Sequence, residues 1–217
     1  IDLLLRTAQI DAPDDDATAA AAQIADLCGN LPLFLSICGG IIVGYAGSTD
    51  WQTEIVELLR EDRLGLIEDG SGDDIVGRLI DSSLDMLKDD TALSVFMALG
   101  VCPEDVLIKL PVVLLICSTD SDVLAKAKKV NKMSMRRSVK TLLDRNLLQG
   151  SIANGVQMHD LVRDLVRSRL ASSIQQKQRA LVKAIGAACP ADGWQAGDDV
   201  GGYAAQALQV HMREALL

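Results

Sequence analysis

Two histidines and five cysteines are the side chains of this 217-residue chain best suited to proton transfer, nucleophilic attack or metal binding. His159 stands next to Asp160 in VQMHDLVRDLV, the one place where an imidazole adjoins a carboxylate. Neighbours in sequence point apart, and neither a GxSxG elbow nor a Cys–His framework accompanies the pair. We therefore expect no acid–base or nucleophilic machinery and read the chain as a non-enzyme. Cys28, Cys38, Cys102, Cys117 and Cys189 lie far apart, mostly inside apolar runs, and none belongs to a CxxC pair. That usage predicts reduced core thiols in a cytoplasmic protein, with no metal site.

Phosphate chemistry has no obvious motif either. No glycine is followed by lysine, which rules out GxxxxGK[ST], and no GxGxxG opens a helix after a strand. LLICSTD, 114–120, has the form of an apolar strand ending in an acid, but without a partner loop it reads as core. The basic cluster Lys126, Lys128, Lys129, Lys132, Arg136, Arg137 and Lys140 offers something different, a face able to lie along a phosphate backbone. It falls where the recognition helix of a winged-helix DNA binder would lie, so the alternative function is a DNA-binding regulator using the basic helix 126–140. Against it stands a formal net charge of −9, which disfavours nucleic acid and anionic membranes as partners of the whole chain. A solvated face, or a dock for an acidic neighbouring domain, is the simpler expectation.

The elements that position these residues are mostly helices. The chain is 49% hydrophobic but only 3% aromatic, so its core must come from Leu, Ile, Val and Ala. After the acidic loop DAPDDD, Asp15 or Asp16 is expected to cap a helix that Gly29 stops. Pro32 then opens the next helix, where its missing N–H costs nothing. Residues 27–49 are uncharged over about 20 positions, the length of a membrane span. Pro32, Gly39, Gly40, Gly44 and acidic flanks make a buried helix the better reading. A third helix runs from Asp50 through Asp62, followed by the linker GLIEDGSGDD.

Beyond the linker, Ile75, Leu79, Ile80, Leu84 and Leu87 keep a helical period, and TALSVFMALG forms another helix. PVVLLICSTDSD fits either a buried strand or a short helix opened by Pro111. Basic helical text up to Leu148 gives way to LLQGSI and VQMHD, two short strands around Asn154-Gly155, a pair suited to positive φ. Asp160 is expected to cap LVRDLVRSRL, with Leu161, Val162, Leu165 and Val166 inward. Three helices, a hairpin and a following helix make a winged-helix arrangement. The expected fold is mainly α: a small helical bundle over 1–64, a linker at 65–74, a winged-helix domain with a short β-hairpin over 75–170, and the start of a further helical region over 171–217. The opening Ile1-Asp2-Leu3, without initiator methionine or basic leader, leads us to expect part of a longer protein.

Two motifs, taken together, resemble a known family. CGNLPLFL, Cys28 to Leu35, resembles the CGGLPLAL motif of NB-ARC proteins, the nucleotide-binding switches of plant immune receptors, apoptotic protease-activating factors and related STAND proteins. MHDLVRDLV, Met158 to Val166, resembles their MHD motif at the end of the winged-helix domain. Between them CPEDVLI, Cys102 to Ile108, is similar to the family's FPEDxxI, and VKTLLDRNLLQ to its LVDRSLLQ. GYAAQALQVHMREA, Gly202 to Ala215, is similar to the YxxxHLPYHLxxA segment that follows. The motifs stand in the family's order and cover essentially the whole chain. Asn30 replaces the second glycine and Phe34 the usual alanine, while Leu33 and Leu35 keep the pattern.

The resemblance implies the helical (ARC1) and winged-helix (ARC2) parts of an ADP/ATP-dependent switch in signal transduction, of the kind that serves defence and apoptosis-like responses. ADP or ATP is the implied cofactor, with magnesium held in a P-loop domain outside this chain. Pro32, with Leu33 beside it, would pack on the adenine, and His159 would reach a β-phosphate oxygen of ADP. Gly29 would shape the turn before Pro32, and Asp160 would cap its helix so that the histidine points correctly. ADP would hold a closed state, and exchange for ATP would release the winged helix. The implied partners are the P-loop domain and C-terminal repeats of the same protein and further copies in an activated oligomer, with neither DNA nor a membrane expected.

Overall fold

The computed structural model describes residues 1–45, 47–69, 74–87, 89–195 and 197–216. The described chain is mainly helical, with one two-stranded antiparallel sheet. It divides into two compact units, Ile1–Lys88 with Asp144–Leu147, and Asp89–Leu143 with Leu148–Leu217.

The first unit holds α1 (Asp2–Thr7), α2 (Asp15–Leu27), α3 (Pro32–Val43), α4 (Trp51–Asp69) and α5 (Asp74–Asp85). The cap of α2 is Asp14, one residue ahead of the expected pair, because its carboxylate is the one that reaches the Ala17 N–H at 2.7 Å. The expected linker, 65–74, is helical up to Asp69 and again from Asp74, and its centre, 70–73, lies outside the described residues. Helix α5 packs on α3 and α4.

Helix α3 is the middle of this unit, buried from Phe34 to Ile42 except at Ser36. Its 12 residues rise about 18 Å, well short of a bilayer core about 30 Å thick. Among the described residues no helix is long and apolar enough to cross a membrane. The glycines of the uncharged run serve close packing instead. A Cβ on Gly39 would strike Thr7 of α1, and one on Gly40 would strike the Arg145 backbone. Arg145 lies along this small-residue face, with Nη1 donating to Gly40 O and Nη2 to Met86 O, each at 3.3 Å. Asn146 Nδ2 donates to Ser36 O at 2.9 Å, and residues 144–147 group with this unit.

The second unit runs α6 (Asp90–Leu99), α7 (Leu110–Thr119), α8 (Ser121–Lys126), α9 (Lys132–Asp144), β1 (Gln149–Ser151), β2 (Gly155–Gln157), α10 (Asp160–Leu170), α11 (Ile174–Ala188) and α12 (Asp199–Leu216). PVVLLICST is helix α7, with Pro111 in its first turn and Val112, Val113, Ile116 and Cys117 buried at helical spacing. The hairpin pairs Gln149 with Gln157 and Ser151 with Gly155. Positive φ falls on Gly150 and Gly155 but not on Asn154, so only the glycine of the Asn-Gly pair takes the left-handed region. Ile108 adds a bridge to Val156, with N–H···O bonds of 2.8 and 3.0 Å. Helix α10 buries Val162, Val166 and Leu170, a stripe at intervals of four, and leaves Leu161 50% exposed, contrary to the expected inward face. α11 and α12 pack on each other and on α7.

Candidate functional site

The chain reverses between α2 and α3 within a few residues. Gly29 and Asn30 take consecutive left-handed conformations, φ +60° and +57°, and Asn30 N donates to Ala25 O at 2.9 Å. Glycine enters that region freely, and asparagine tolerates it better than most residues, so Asn30 occupies the second position without a change of turn type. Leu31, extended at ψ 122°, sets Pro32 as the first residue of α3. Leu31 is 50% exposed and Pro32 is exposed, Leu33 is half-buried, and Phe34 and Leu35 are buried. Leu31 and Pro32 therefore form an exposed apolar ledge between α2 and α3. Behind it Cys28 Sγ lies 3.8 Å from Cys38 Sγ, and the hydrogen bond between them, with burial, raises the Cys38 pKa well above its usual value.

In the second unit the hairpin ends on buried Met158, and His159 follows, half-buried, as the N-cap of α10. Its Nδ1 accepts from Leu161 N at 3.3 Å, which places the proton of the neutral ring on Nε2. The cap is thus His159, and the exposed Asp160 is the first helical residue, where its charge complements the helix N-terminus. The sequence placed the cap one residue late because aspartate is the commoner capping type. Gly29, Pro32 and Leu33 belong to the first unit, and His159 and Asp160 to the second.

The basic segment is held rather than trailing. Asn131 Oδ1 accepts from Met133 N and Ser134 N at 2.9 and 3.0 Å, capping α9, and the Ser134 hydroxyl donates to Lys129 O at 2.7 Å. Met135, Ser138, Val139 and Leu142 form the buried side of α9, and Lys132, Arg136 and Arg137 stand on its exposed side.

Sequence reasoning passed over a buried polar chain in the second unit. Gln178 Nε2 faces two acceptors, Val101 O at 2.9 Å and Glu214 Oε2 at 2.6 Å, which fixes its amide and turns Oε1 toward His211 Nδ1 at 2.7 Å. Nδ1 must then carry the proton, and Nε2 accepts from the Tyr203 hydroxyl at 2.7 Å. Cys102 Sγ lies 3.5 Å beyond that hydroxyl, and Arg167 closes the other end on Glu214 at 2.9 Å. Burial pulls the His211 pKa down to about 4 and pushes the Cys102 thiol up to about 12. Only one clue in the sequence pointed here: Tyr203, Ala207, His211 and Ala215 repeat every four residues, which puts the histidine on the apolar stripe of α12.

Lys177 of α11 makes a second link, to the buried Asp120 at 2.6 Å and to the exposed Asp122 at 2.8 Å. Asp120 is itself the cap of α8, through Oδ1. Burial works against the ammonium, but the two carboxylates outweigh it and raise the Lys177 pKa. Among the described residues no group of three or more His, Cys, Asp or Glu could hold a metal ion. A cavity of about 750 Å³ in the second unit lies between Lys109, Asn154 and the start of α12 and is lined by none of the expected site residues. No protein-family model matches the chain, and no curated protein matches it.

Proposed function

We propose that this chain is the regulatory part of an NB-ARC-type ADP/ATP switch, giving the adenine contact from its first unit and a β-phosphate contact from its second. The remaining phosphate contacts and magnesium would come from a P-loop domain outside these residues. The observation that carries this is the turn from Cys28 to Pro32. Two successive left-handed residues ahead of a proline at the first helical position leave Leu31 and Pro32 open to solvent. A rigid apolar ledge of that kind suits the face of a planar base.

The second unit supports the same reading. Helix α6, the Ile108 bridge, helices α7, α8 and α9 and the β1–β2 hairpin come in an order that suits a winged helix with the short α8 added, and Ile108 suits the place of a one-residue third strand. The motif histidine comes directly after the wing, and its Nε2–H is a free donor in the tautomer that caps α10. One hydrogen bond from it to a phosphate oxygen is worth about 1.5–3 kcal/mol. ADP binding favours one state of the switch, and exchange for ATP shifts the population away from it.

In a protein that carries the P-loop domain, His159→Ala should release ADP at least about tenfold faster, the rate equivalent of about 1.4 kcal/mol. An unchanged ADP off-rate would remove the histidine from the switch. The isolated chain should show no heat of binding with ADP or ATP by calorimetry, and micromolar binding would contradict the placing of the main phosphate contacts elsewhere.

A further inference from the structure

A cleft of about 400 Å³ opens between the start of α6, the α8–α9 connection and the first turns of α9. Lys126, Lys128, Lys129 and Arg137 line it, all exposed, and Met133 stands among them with 73% of its surface open. Seven of the chain's 21 Lys and Arg residues fall within 126–140 with no acid among them, although the whole chain is at −9. The countercharge at the cleft is Asp89, which lines it and caps α6, and Asp90, which comes to 4.0 Å from Lys126, two carboxylates beside the four cations of the lining. Ser134 ties the Lys129 carbonyl to the start of α9 and Asn131 caps that helix, so the connection carrying Lys129 is held against α9.

We infer that this cleft is a docking surface for an acidic peptide segment that carries an apolar side chain. The cations alone would accept any polyanion; Met133 discriminates. A phosphate backbone laid along the patch would press charge against an exposed thioether. It would also run past the patch onto a chain that is acidic elsewhere, where repulsion grows. Carboxylates on either side of one leucine or isoleucine satisfy both features, since methionine adapts its shape to an apolar partner. Nothing in this placement depends on nucleotide binding.

The test uses the 217-residue chain and fluorescence anisotropy with three labelled probes. These are a peptide of Asp and Glu around a central leucine, the same peptide with serine for leucine, and a DNA duplex. The leucine peptide should bind most tightly and weaken as salt is added. Lys129→Glu with Arg137→Glu should reduce its affinity by at least about tenfold. Met133→Ser should lower the leucine peptide to the level of the serine peptide and leave the latter unchanged. If the charge-reversed protein fails to melt like the parent, Lys126→Gln with Lys128→Gln gives the same comparison by charge removal. Tighter binding of the duplex than of the leucine peptide at equal ionic strength overturns the proposal, as does equal binding by parent and charge variants.

Discussion

His211 Nε2 accepts a 2.7 Å hydrogen bond from the Tyr203 hydroxyl in a place where the imidazole has no exposed surface at all. Two turns of α12 separate the residues, yet the bond closes a chain that ties α12 to α11 through Gln178 and to the end of α6 through Cys102. Burial of the ring favours the neutral imidazole over the cation in this network. Its stability consequence follows from the sign of the shift.

The His211 pKa is depressed, from 6.5 to about 4, by burial, with Glu214 opposing and Arg167 reinforcing the effect. The stabilisation is therefore complete above the unfolded value and is lost as pH falls from 6.5 toward 4. The full loss is about 3 kcal/mol. Urea unfolding across this window should show that slope in the parent and a flatter one in His211→Gln, with the difference between the two curves isolating the histidine.

Lys177→Met should cost about 3 kcal/mol in urea unfolding, because it strands the Asp120 carboxylate, 4% exposed, without its cation. Asp122 is 67% exposed, and Asp122→Asn should change stability by less than about 1 kcal/mol. Equal effects would mean that the buried member of the pair is not the one that matters.

Two glycines should respond to alanine with opposite signs. Gly40→Ala drives a Cβ into the Arg145 backbone and should destabilise by about 1–3 kcal/mol. Gly186 sits in α11 with open space around it, and Gly186→Ala should stabilise by about 0.5–1 kcal/mol. Thermal melts of the two variants beside the parent are sufficient.

Asn30 can be tested against both the turn and the motif. Asn30→Gly should leave stability within a few tenths of a kcal/mol, whereas Asn30→Ala should lower it by about 1 kcal/mol, since alanine resists φ +57°. A harmless alanine would mean that the left-handed turn before Pro32 is not maintained in solution.

The helices and the hairpin were legible because their signals are local. Pro32 marks a helix start, Asn154-Gly155 marks the hairpin, and the aromatic-poor composition leaves little besides packed aliphatic helices, whereas PVVLLICST stayed open between strand and helix until the structure showed α7. The candidate site was legible only as a motif. That Gly29 and Asn30 are both left-handed, that Pro32 is exposed, and that His159 rather than Asp160 is the cap are matters of backbone direction, on which residue type is only a preference.

The sequence by itself determined the helical character of this protein, the place of the β1–β2 hairpin, the uncharged segment and the basic stretch, each written in neighbouring residues. Tertiary structure alone decided where the distant partners fall. Arg145 finds Gly40, 105 residues away, and thereby explains why that position carries no side chain. His211 became a buried, neutral hydrogen-bonding centre only when Gln178, Tyr203 and Cys102 closed around it. No local preference encodes such meetings. They follow from how apolar faces pack, and the polar groups carried inward must then find one another or remain unpaired at a cost.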